Sequence, residues 1–567
     1  MRLTRLPEFR PRTALLCSLA AGAAILLSFR GIYEADLWWH LAHGRENAAG
    51  RLVRTNVFSF IYPDYPQAYT SWLYDLAGYL AWQTAEGAGI QLFHGGLLAM
   101  MFVLAYFACR ERAPVAAALA VLAIGFFVVE PRAIPRPHVA SFAGLAACAL
   151  LVERARRRGA AAPLAWAIPI VALWSNLHAE SVFGVLLVGL FAAGEFAHPV
   201  ALSRREALKA IAISAACLLA TVVNPYGWGL ERYLYENWSV PQLLNIGELQ
   251  APSLPTYRAF FVYIGLVSLA ILMPWRAASL SELAIAAIFA ALGARFLRFT
   301  PLLFLVTAPI VADRVGRLIA RGIDGRAVVA TAIAAGLMIS RMPINALANL
   351  QVGNRAVAPP EFLSPGMPAF ARATGLRGPV FNSMNLGGWL AWELYPDTRI
   401  FQDGRLQAVP PEHFRGIIDA SRDLAKWEAL VAGVDWAVLS LPRPNQLSGA
   451  GRFPRRQWAT VYWDEAVDVR VRRGGRFDGL VPAYEYTVLV PESDPFVLAA
   501  SYDGAGPERL RAEARRNMTE NPDGFAAAAV ECLMDAADAC ARVERFADWP
   551  MYRDAVTRVR QIREGGS

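Results

Sequence analysis

Apolar stretches of about bilayer length recur through the first 341 residues, and this pattern constrains the fold more than any other feature. A helix needs about 20 mostly apolar residues to cross a bilayer. Hydrophobic residues make up 56 % of the chain, which is too many for an ordinary soluble enzyme. We therefore expect an α-helical polytopic membrane protein with about eleven transmembrane helices. The predicted spans are residues 13–30, 89–109, 114–129, 139–153, 163–176, 179–197, 206–223, 258–274, 279–294, 299–313 and 326–341.

Clusters of arginine lie at every second connection between these spans, and such clusters stay on the cytoplasmic side. This alternation predicts a cytoplasmic N-terminus and places residues 342–567 on the outer side. It requires residues 71–85 to form an interfacial or re-entrant helix rather than a span. A secretory signal is the competing interpretation of residues 1–29, but no small-residue cleavage site follows, so we expect a retained anchor. The net charge of +8 is carried almost wholly by arginine, and the clusters between apolar runs are typical of membrane orientation, so we expect no nucleic-acid partner.

The sequence predicts three domains. Residues 1–342 form a transmembrane bundle with an outer loop at 31–88, residues 343–493 form an outer α/β domain, and residues 494–567 form a helical C-terminal appendage. The middle domain contains no G-x-G-x-x-G or P-loop pattern. Its predicted strands are residues 379–381, 398–402, 436–441, 459–463, 467–471 and 485–490, and its predicted helices are 386–394 and 413–432.

Two of the six cysteines, Cys532 and Cys540, lie in the predicted outer region, where oxidation is plausible in a cell envelope. On one straight helix their Cα atoms would be about 12 Å apart, too far for a disulfide. A turn near residues 535–538 would bring them together, and the sequence leaves both arrangements open. The other cysteines lie in or beside spans as small buried hydrophobic residues, and no spacing indicates zinc.

The first outer loop carries an unusual set of polar residues. If a helix begins at Asp36, then His40 and His43 lie on the same face. A carboxylate beside an imidazole suits proton abstraction, and the same pair can hold a metal ion. The alternative is that Asp36 only caps the helix while Trp38 and Trp39 anchor it in the headgroup layer. Both roles are compatible.

Further polar residues gather at the predicted outer ends of the helices, which predicts one outward-facing polar chamber. Its members are Glu34, Asp36, His40, His43, Glu130, Arg132, Arg136, His138, Asn176, His178, Glu180, Asn224, Tyr226, Glu248, Arg258, Arg295 and Arg298. Arginine binds phosphate oxygens well, so Arg295 and Arg298 are the first choice for a lipid phosphate and Arg136 the second. The alternative is that these arginines reach headgroups or pair with Glu130.

Two further sites have competing interpretations. A structural histidine is the alternative to a binding role for His178. Asp403 and Gly404 follow a predicted strand and indicate a turn first, although Arg405 is long enough to extend towards the chamber. His413 has no companion and is expected at the surface.

Several motifs together resemble the GT-C superfamily of polyprenyl-phosphate-sugar-dependent glycosyltransferases, and more closely a group of uncharacterised bacterial polytopic proteins with a DLWWHLA-type first loop. The first outer loop carries Glu34-x-Asp36, which is similar to the E-x-D form of the GT-C motif. The other motifs are Asp36-Leu37-Trp38-Trp39-His40-Leu41-Ala42-x-Gly44, Arg136-Pro137-His138, Trp174-x-Asn176-x-His178, Asn224-Pro225-x-Gly227 and Phe401-Gln402-Asp403-Gly404-Arg405. The resemblance extends to about residue 490.

The resemblance implies inverting transfer of a sugar from a polyprenyl-phosphate donor to a glycan, lipid or protein acceptor at the outer, periplasmic face of the bacterial inner membrane. It makes Asp36 the general base or the carboxylate that orients the acceptor, with Glu34 assisting, and allows Glu34 and Asp36 to hold Mg²⁺ or Mn²⁺. His40, one turn after Asp36, is the third candidate catalytic residue. The candidate substrate-binding residues, taken from the residues themselves, are Arg136, His138, His178, Arg295, Arg298, Asp403 and Arg405. A non-catalytic transporter or scaffold for envelope polysaccharide or lipid is the alternative, although no internal duplication supports transport. A redox enzyme would need histidine pairs on facing spans, which the sequence lacks.

Overall fold

The structure is a computed structural model of the chain. It describes residues 22, 28–29, 31–69, 71–236, 246–272, 278–339, 351–357, 362–441, 449–491, 493–501, 507–522, 524–534, 536–547 and 552–565. The chain folds into two compact units. The helical unit comprises Met1–Glu34, His43–Arg54 and Gln67–Val357, and the α/β unit comprises Ala35–Ala42, Thr55–Pro66 and Ala358–Ser567. One helix, Asp36–Ala48, contributes its first half to the α/β unit and its second half to the helical unit.

The helical unit consists of α-helices joined by short 3₁₀ turns. Its α-helices are Trp72–Arg110, Val115–Val129, His138–Arg158, Ala167–Leu177, Val182–Ala197, Arg204–Ala220, Gly229–Glu236, Arg258–Leu272, Leu280–Arg295, Thr300–Ala320, Gly325–Ile339 and Asn354–Val357. The 3₁₀ turns are Glu130–Arg132, Ala162–Trp166, Ala179–Ser181, Gly247–Leu249 and Leu297–Phe299.

Four helical stretches of the described chain are long and apolar enough to cross a membrane: Trp72–Arg110, Val115–Arg132, His138–Arg158 and Ala179–Ala197. Three shorter apolar helices, Ala162–Leu177, Arg258–Leu272 and Gly325–Ile339, match further predicted spans. The expected count of eleven is therefore not confirmed. The predicted first span, with Cys17 and the arginines before it, lies almost wholly outside the described residues.

The longest helix, Trp72–Arg110, is bent where Ala85 and Glu86 leave helical geometry. The bend separates the two pieces predicted from the sequence, residues 71–85 and 89–109. Asn354 stabilises it, because its Oδ1 accepts the Gly87 N–H at 2.9 Å. A Cβ at Gly89 would lie 1.9 Å from the carbonyl oxygen of Ala81, so glycine permits the tight turn.

Small residues let the helices of this unit pack closely. A Cβ at Gly144 would lie 2.6 Å from the buried Trp174 ring, and a Cβ at Gly125 would lie 2.0 Å from Phe304. Helices in a bilayer associate through such close contacts, because lipid gives little hydrophobic drive for helix association. The continuous buried core of the unit includes Trp174, Phe142 and Phe304.

The α/β unit is built on a five-stranded mixed sheet with the order β2-β1-β3-β5-β4. The strands are β1 (Gly378–Asn382), β2 (Thr398–Ile400), β3 (Trp436–Ser440), β4 (Trp458–Trp463) and β5 (Val467–Arg472). Strand β1 runs parallel to β2 and β3, whereas β5 is antiparallel to β3 and β4. The central positions of β3 are buried, as expected for a strand covered on both faces.

Helices follow and cover the strands. They are Met367–Thr374, Met384–Leu394, Pro411–Ala420, Leu424–Leu430, Val481–Tyr484, Pro495–Ser501, Pro507–Glu520, Ala526–Leu533, Ala537–Glu544 and Arg553–Gly565, with 3₁₀ turns at Gly449–Arg452 and Asp478–Leu480. The prediction of one helix over 413–432 was wrong. Asp423 starts a second helix by accepting the N–H groups of Ala425 and Lys426. His413 is buried rather than at the surface, and it lies against Phe401.

The predicted strand at 485–490 is absent from the described residues, and a carboxylate explains why. Glu513 accepts the backbone N–H groups of Thr487, Val488 and Leu489 at 2.8–2.9 Å. These bonds take the donors that a sheet partner would need. They also hold the pKa of Glu513 below its usual value, although burial alone would raise it.

Cys532 and Cys540 form a disulfide, with Cα atoms 4.6 Å apart. The chain turns between the helices Ala526–Leu533 and Ala537–Glu544, so the turn required by the sequence argument is present. This bond ties two helices of the C-terminal region together. The other described cysteines, Cys109, Cys148 and Cys217, are free and buried, as expected.

Candidate functional site

Glu34 is a buried acid whose charge is neutralised by an arginine. Its Oε1 lies 2.7 Å from Nη2 of Arg136, and the Glu34 side chain is only 8 % exposed. Arg136 lies in the turn that precedes the helix His138–Arg158, where its N–H donates to the Ile134 carbonyl. The sequence nominated Glu34 and Arg136 separately, and the structure brings them together in the helical unit.

This pair belongs to a larger group of alternating charges in the same unit. Glu248 accepts Nη2 of Arg132 at 2.7 Å and lies 3.4 Å from Nη1 of Arg298 and 3.6 Å from Nη1 of Arg136. Arg298 also donates to Glu180 at 2.7 Å. Three arginines thus face three glutamates. We call this group the arginine–glutamate cluster: Glu34, Arg132, Arg136, Glu180, Glu248 and Arg298.

Electrostatics keep the cluster charged. Burial opposes ionisation of Glu248, but Arg298, Arg132 and Arg136 outweigh it and lower the pKa of Glu248 to about 2. Burial alone would lower the pKa of Arg298, whereas Glu180 and Glu248 raise it above its usual value. Each arginine therefore already has a carboxylate partner. An incoming phosphate would have to replace one of these carboxylates.

Two nominated histidines support this cluster. Nε2 of His138 lies 2.8 Å from the carbonyl oxygen of Arg132, so this nitrogen must carry the proton and donate. Nδ1 of His178 lies 2.8 Å from Oγ of Ser141, which accepts the indole N–H of Trp174. His178 also lies 3.4 Å from Glu180.

Arg295 has a different environment from Arg298, although the sequence nominated them as a pair. It is exposed, and its guanidinium lies over the ring of Phe296 at 4.8 Å. The ion pairs of the cluster involve Arg298 and not Arg295. Spacing alone could not separate these two residues, because the turn at Leu297–Phe299 directs them differently.

In the α/β unit, Asp36 begins the helix Asp36–Ala48 and is partly exposed. A Cβ at Gly404 would lie 2.1 Å from Oδ1 of Asp36, so the backbone of Gly404 contacts the carboxylate directly. Similarly, a Cβ at Gly388 would lie 2.9 Å from the backbone nitrogen of Trp39. His40 is buried, with its ring 3.6 Å from that of Trp39. The first-loop and Phe401–Arg405 motifs therefore pack against each other.

Asp403 and Arg405 form a buried ion pair beside this contact, with 2.7 Å between Nη2 and Oδ2. Nη2 of Arg405 also donates to Oδ1 of Asn56 at 3.1 Å, and its guanidinium lies over the Phe58 ring. Asp403 accepts the backbone N–H of Arg405 as well, which closes the turn predicted from the sequence. These contacts fix the turn that carries Gly404.

A divalent ion at Glu34 and Asp36 does not fit the surroundings of Glu34. Within the described ranges, no three His, Cys, Asp or Glu side chains form a group that could hold a metal ion. The guanidinium of Arg136 already supplies positive charge at Glu34. We therefore assign Glu34 to the ion pair.

Sequence reasoning overlooked His94 and the glycines. His94 lies within a predicted apolar span, and its Nε2 lies 3.3 Å from the carbonyl oxygen of Ala133. An ionisable residue inside such a span is a functional signal that could have identified it. Gly404 was recognised only as part of a turn, and Gly388 carried no signal. Their close contacts were missed because a single sequence does not show which backbones approach each other.

No model of a known protein family and no curated protein matches the sequence. Solved structures do match. The apo oligosaccharyltransferase of Archaeoglobus fulgidus superposes with a TM-score of 0.50 at 12 % identity, over 76 % of this chain and 70 % of that one. Archaeal oligosaccharyltransferase AglB from the same organism, in complex with an inhibitory peptide and a dolichol-phosphate, gives 0.52 at the same identity and coverage.

These likenesses concern the fold, since the sequences are only 12 % identical. No sequence relative supports the narrower bacterial group with the DLWWHLA-type loop. The chain shares the fold of AglB over 76 % of its length.

Proposed function

We propose that this protein is a membrane glycosyltransferase that moves a sugar from a polyprenyl-phosphate-linked donor to an acceptor at the outer face of a bacterial inner membrane. The observation that carries the proposal is the fold likeness to AglB, which was solved with a dolichol-phosphate and a peptide. Dolichol-phosphate is itself a polyprenyl phosphate. Fold alone does not determine chemistry, so the proposal also depends on the charged groups of this chain.

Asp36 is the proposed general base. An inverting transfer is one displacement: the acceptor oxygen forms the new bond to the anomeric carbon, the bond to the donor phosphate breaks, and the base takes the acceptor proton. Asp36 suits this role because it is partly exposed at the start of its helix. Glu34 is buried and paired with Arg136, so it is proposed to position rather than to take the proton.

The arginine–glutamate cluster is proposed to bind the donor phosphate. Its side chains are 8–27 % exposed, so its charges are only partly screened by solvent. Arg136 and Arg298 are the more exposed of its arginines. Phosphate would take the place of Glu248, which contacts all three arginines. Exposed Arg295 is proposed to contact lipid headgroups instead.

The proposed orientation keeps the arginine clusters in the cytoplasm. Glu34, Arg136 and Arg298 then lie at the outer ends of their helices, as a lipid-linked donor on that face requires. The α/β unit, which contains Asp36 and the disulfide of Cys532 and Cys540, is proposed to lie in the periplasm.

A transfer assay tests the function. The full chain is reconstituted in lipid nanodiscs with polyprenyl-phosphate-linked radiolabelled sugars, and water-soluble and lipid-extractable label are separated over time. We expect release or transfer of label from the carrier to added glycan, lipid or peptide acceptors. Binding of the carrier with no release for any sugar tested would contradict the proposal and favour the transporter or scaffold alternative.

A further inference from the structure

A cavity of about 280 Å³ with a mixed polar and apolar wall lies in the helical unit beside Glu34. The segment Gly31–Glu34, the turn at Ala133–Pro135 and two side chains, Ser28 and His94, line it. Small-molecule pockets measure about 300–1,000 Å³, so this cavity is at the lower limit and accommodates one small ring rather than an extended chain. None of the roles assigned above uses it.

The buried hydroxyl of Ser28 is the observation that indicates a ligand in this cavity. It is 2 % exposed, and its hydroxyl has no hydrogen-bond partner among the described residues, although it lies at the cavity wall. A buried hydroxyl without a partner costs about 1–3 kcal/mol. The backbone at Ser28 is held in place, because its carbonyl accepts Nε2 of Gln91 at 3.1 Å. Gln91 is itself fixed by the Gln351 carbonyl at 2.8 Å.

The other polar groups at the wall define what can bind. The Glu34 carboxylate accepts hydrogen bonds, and Arg136 holds it in position. His94 must donate from Nε2 to the Ala133 carbonyl, so in its neutral form Nδ1 is the accepting nitrogen. The wall thus offers the carboxylate acceptor of Glu34 and the hydroxyl of Ser28. A ligand with several hydroxyl donors matches this set.

The charge and shape of the wall restrict further which class of ligand the cavity can bind. No arginine or lysine is among the described residues that line the cavity, and a free phosphate or carboxylate would meet the acceptor oxygens of Glu34, which disfavours anions. The remaining wall is apolar or aromatic, with Ile32, Ile134 and the Tyr33 ring. A pyranose ring combines apolar C–H faces with outward hydroxyl groups, and both parts find partners here.

We propose that this cavity is a subsite for one uncharged sugar ring, with Ser28 and Glu34 as its hydrogen-bonding residues. The proposal rests on glycosyl transfer as the function and specifies where the sugar binds. The ring belongs either to the lipid-linked donor or to a glycan acceptor. Both sources present the same hydroxyl chemistry.

Saturation-transfer NMR on the full chain in lipid nanodiscs tests this subsite without maltoside detergents, whose sugar headgroups would compete. The probes are glucose, galactose, mannose and N-acetylglucosamine, with glucuronate as the anionic comparison. We expect a signal from at least one uncharged sugar and a weaker one from glucuronate. No signal from any uncharged sugar, or a stronger signal from glucuronate, would overturn the proposal.

Three serine variants locate the binding. Ser28→Ala should weaken the affinity about fivefold through one lost hydrogen bond, and Ser28→Leu should abolish it by filling the cavity. Ser268→Val is the matched control, because Ser268 is exposed and bonds only within its own helix, to the Ile264 carbonyl. Equal binding by all three variants would place the sugar elsewhere. If a Ser28 variant fails to fold, the comparison of neutral and anionic probes on the wild-type protein still tests whether the subsite binds an uncharged sugar.

Competition separates the two sources. A polyprenyl-phosphate-linked sugar that displaces the free sugar, where bare polyprenyl phosphate does not, would assign the subsite to the donor. Persistence of the free-sugar signal with saturating donor would assign it to the acceptor. Sugar binding that depends on Ser28, without any transfer, would support the subsite and contradict the proposed function. Sugar transfer without binding that depends on Ser28 would support the proposed function and contradict the subsite.

Discussion

The backbone of Gly404 touches the carboxylate of Asp36: a Cβ at residue 404 would lie 2.1 Å from Oδ1 and 3.1 Å from Cγ. Gly404 is not among the glycines with positive φ, so the close contact, and not backbone freedom, is what requires glycine here. The buried ion pair of Asp403 and Arg405 holds the turn on both sides of it. Within the α/β unit, this turn therefore sets the position of the proposed base.

Gly404→Ala should impair transfer by pushing the Asp36 carboxylate away from its place. A displacement of about 1 Å at a reacting group lowers turnover by about a hundredfold. Rates are measured at saturating donor with the nanodisc assay. Gly416→Ala is the matched control, because a Cβ at Gly416 meets nothing within 4 Å and alanine favours its helix. Equal rates for both variants would show that the contact does not position Asp36.

The arginine–glutamate cluster should lose stability in acid. The pKa of Glu248 is lowered to about 2 in the folded protein, so its contribution is full above the unfolded value near 4.5. This contribution to the free energy of unfolding is lost as the pH falls from about 4.5 towards 2, and it amounts to at most about 3 kcal/mol. Thermal unfolding at several pH values measures the loss of stability.

Glu248→Gln should remove this part of the acid response, so wild type and variant should converge as the pH falls. Glu428→Gln, at an exposed position of the α/β unit, is the control and should leave the response unchanged. If wild type and Glu248→Gln differ in stability by the same amount at every pH, ionisation of Glu248 does not cause the loss of stability in acid.

The proposed orientation predicts which side of the membrane each surface reaches. A membrane-impermeant maleimide should label Glu428→Cys in spheroplasts, because that exposed residue lies in the α/β unit. Arg205→Cys, exposed in an arginine cluster, should react only after the inner membrane is broken. Both are made in a Cys17→Ser background, and the described free cysteines, Cys109, Cys148 and Cys217, are buried. The reverse labelling pattern would place the α/β unit in the cytoplasm.

The sequence was informative where the pattern is local. Strands β1 to β5 were predicted within a few residues, since alternating and buried β-branched runs are local signals. Residues 485–490 were mispredicted because their hydrogen-bond acceptor, Glu513, lies more than 20 residues away. The count of eleven spans is not confirmed, since Arg204–Ala220 and Leu280–Arg295, with 17 and 16 residues, are not among the helices long and apolar enough to cross a membrane.

At the candidate site, the sequence identified polar residues but not their pairing. It grouped Glu34, Arg136 and Arg298 by the ends of their helices, and the structure joins them through Glu248. Spacing could not show that Arg298 is paired with glutamates while Arg295 lies over Phe296. Ser28 was overlooked because one serine in an apolar run gives no pattern, whereas His94 could have been identified as an ionisable residue within a predicted span.

Asp36→Asn is the decisive substitution for catalysis. Asparagine keeps the size of the side chain and most of its helix-capping ability, but it cannot take a proton. If Asp36 is the base, turnover should fall by about a hundredfold or more while expression and unfolding temperature stay close to wild type. Asp64→Asn, at an exposed position of the same unit, is the matched control and should keep full activity. If Asp36 only caps its helix, the change should cost about 1 kcal/mol of stability or less and leave the rate unchanged. An Asp36→Asn protein that transfers sugar at the wild-type rate would remove Asp36 from the chemistry, and the contact with Gly404 would then serve packing alone.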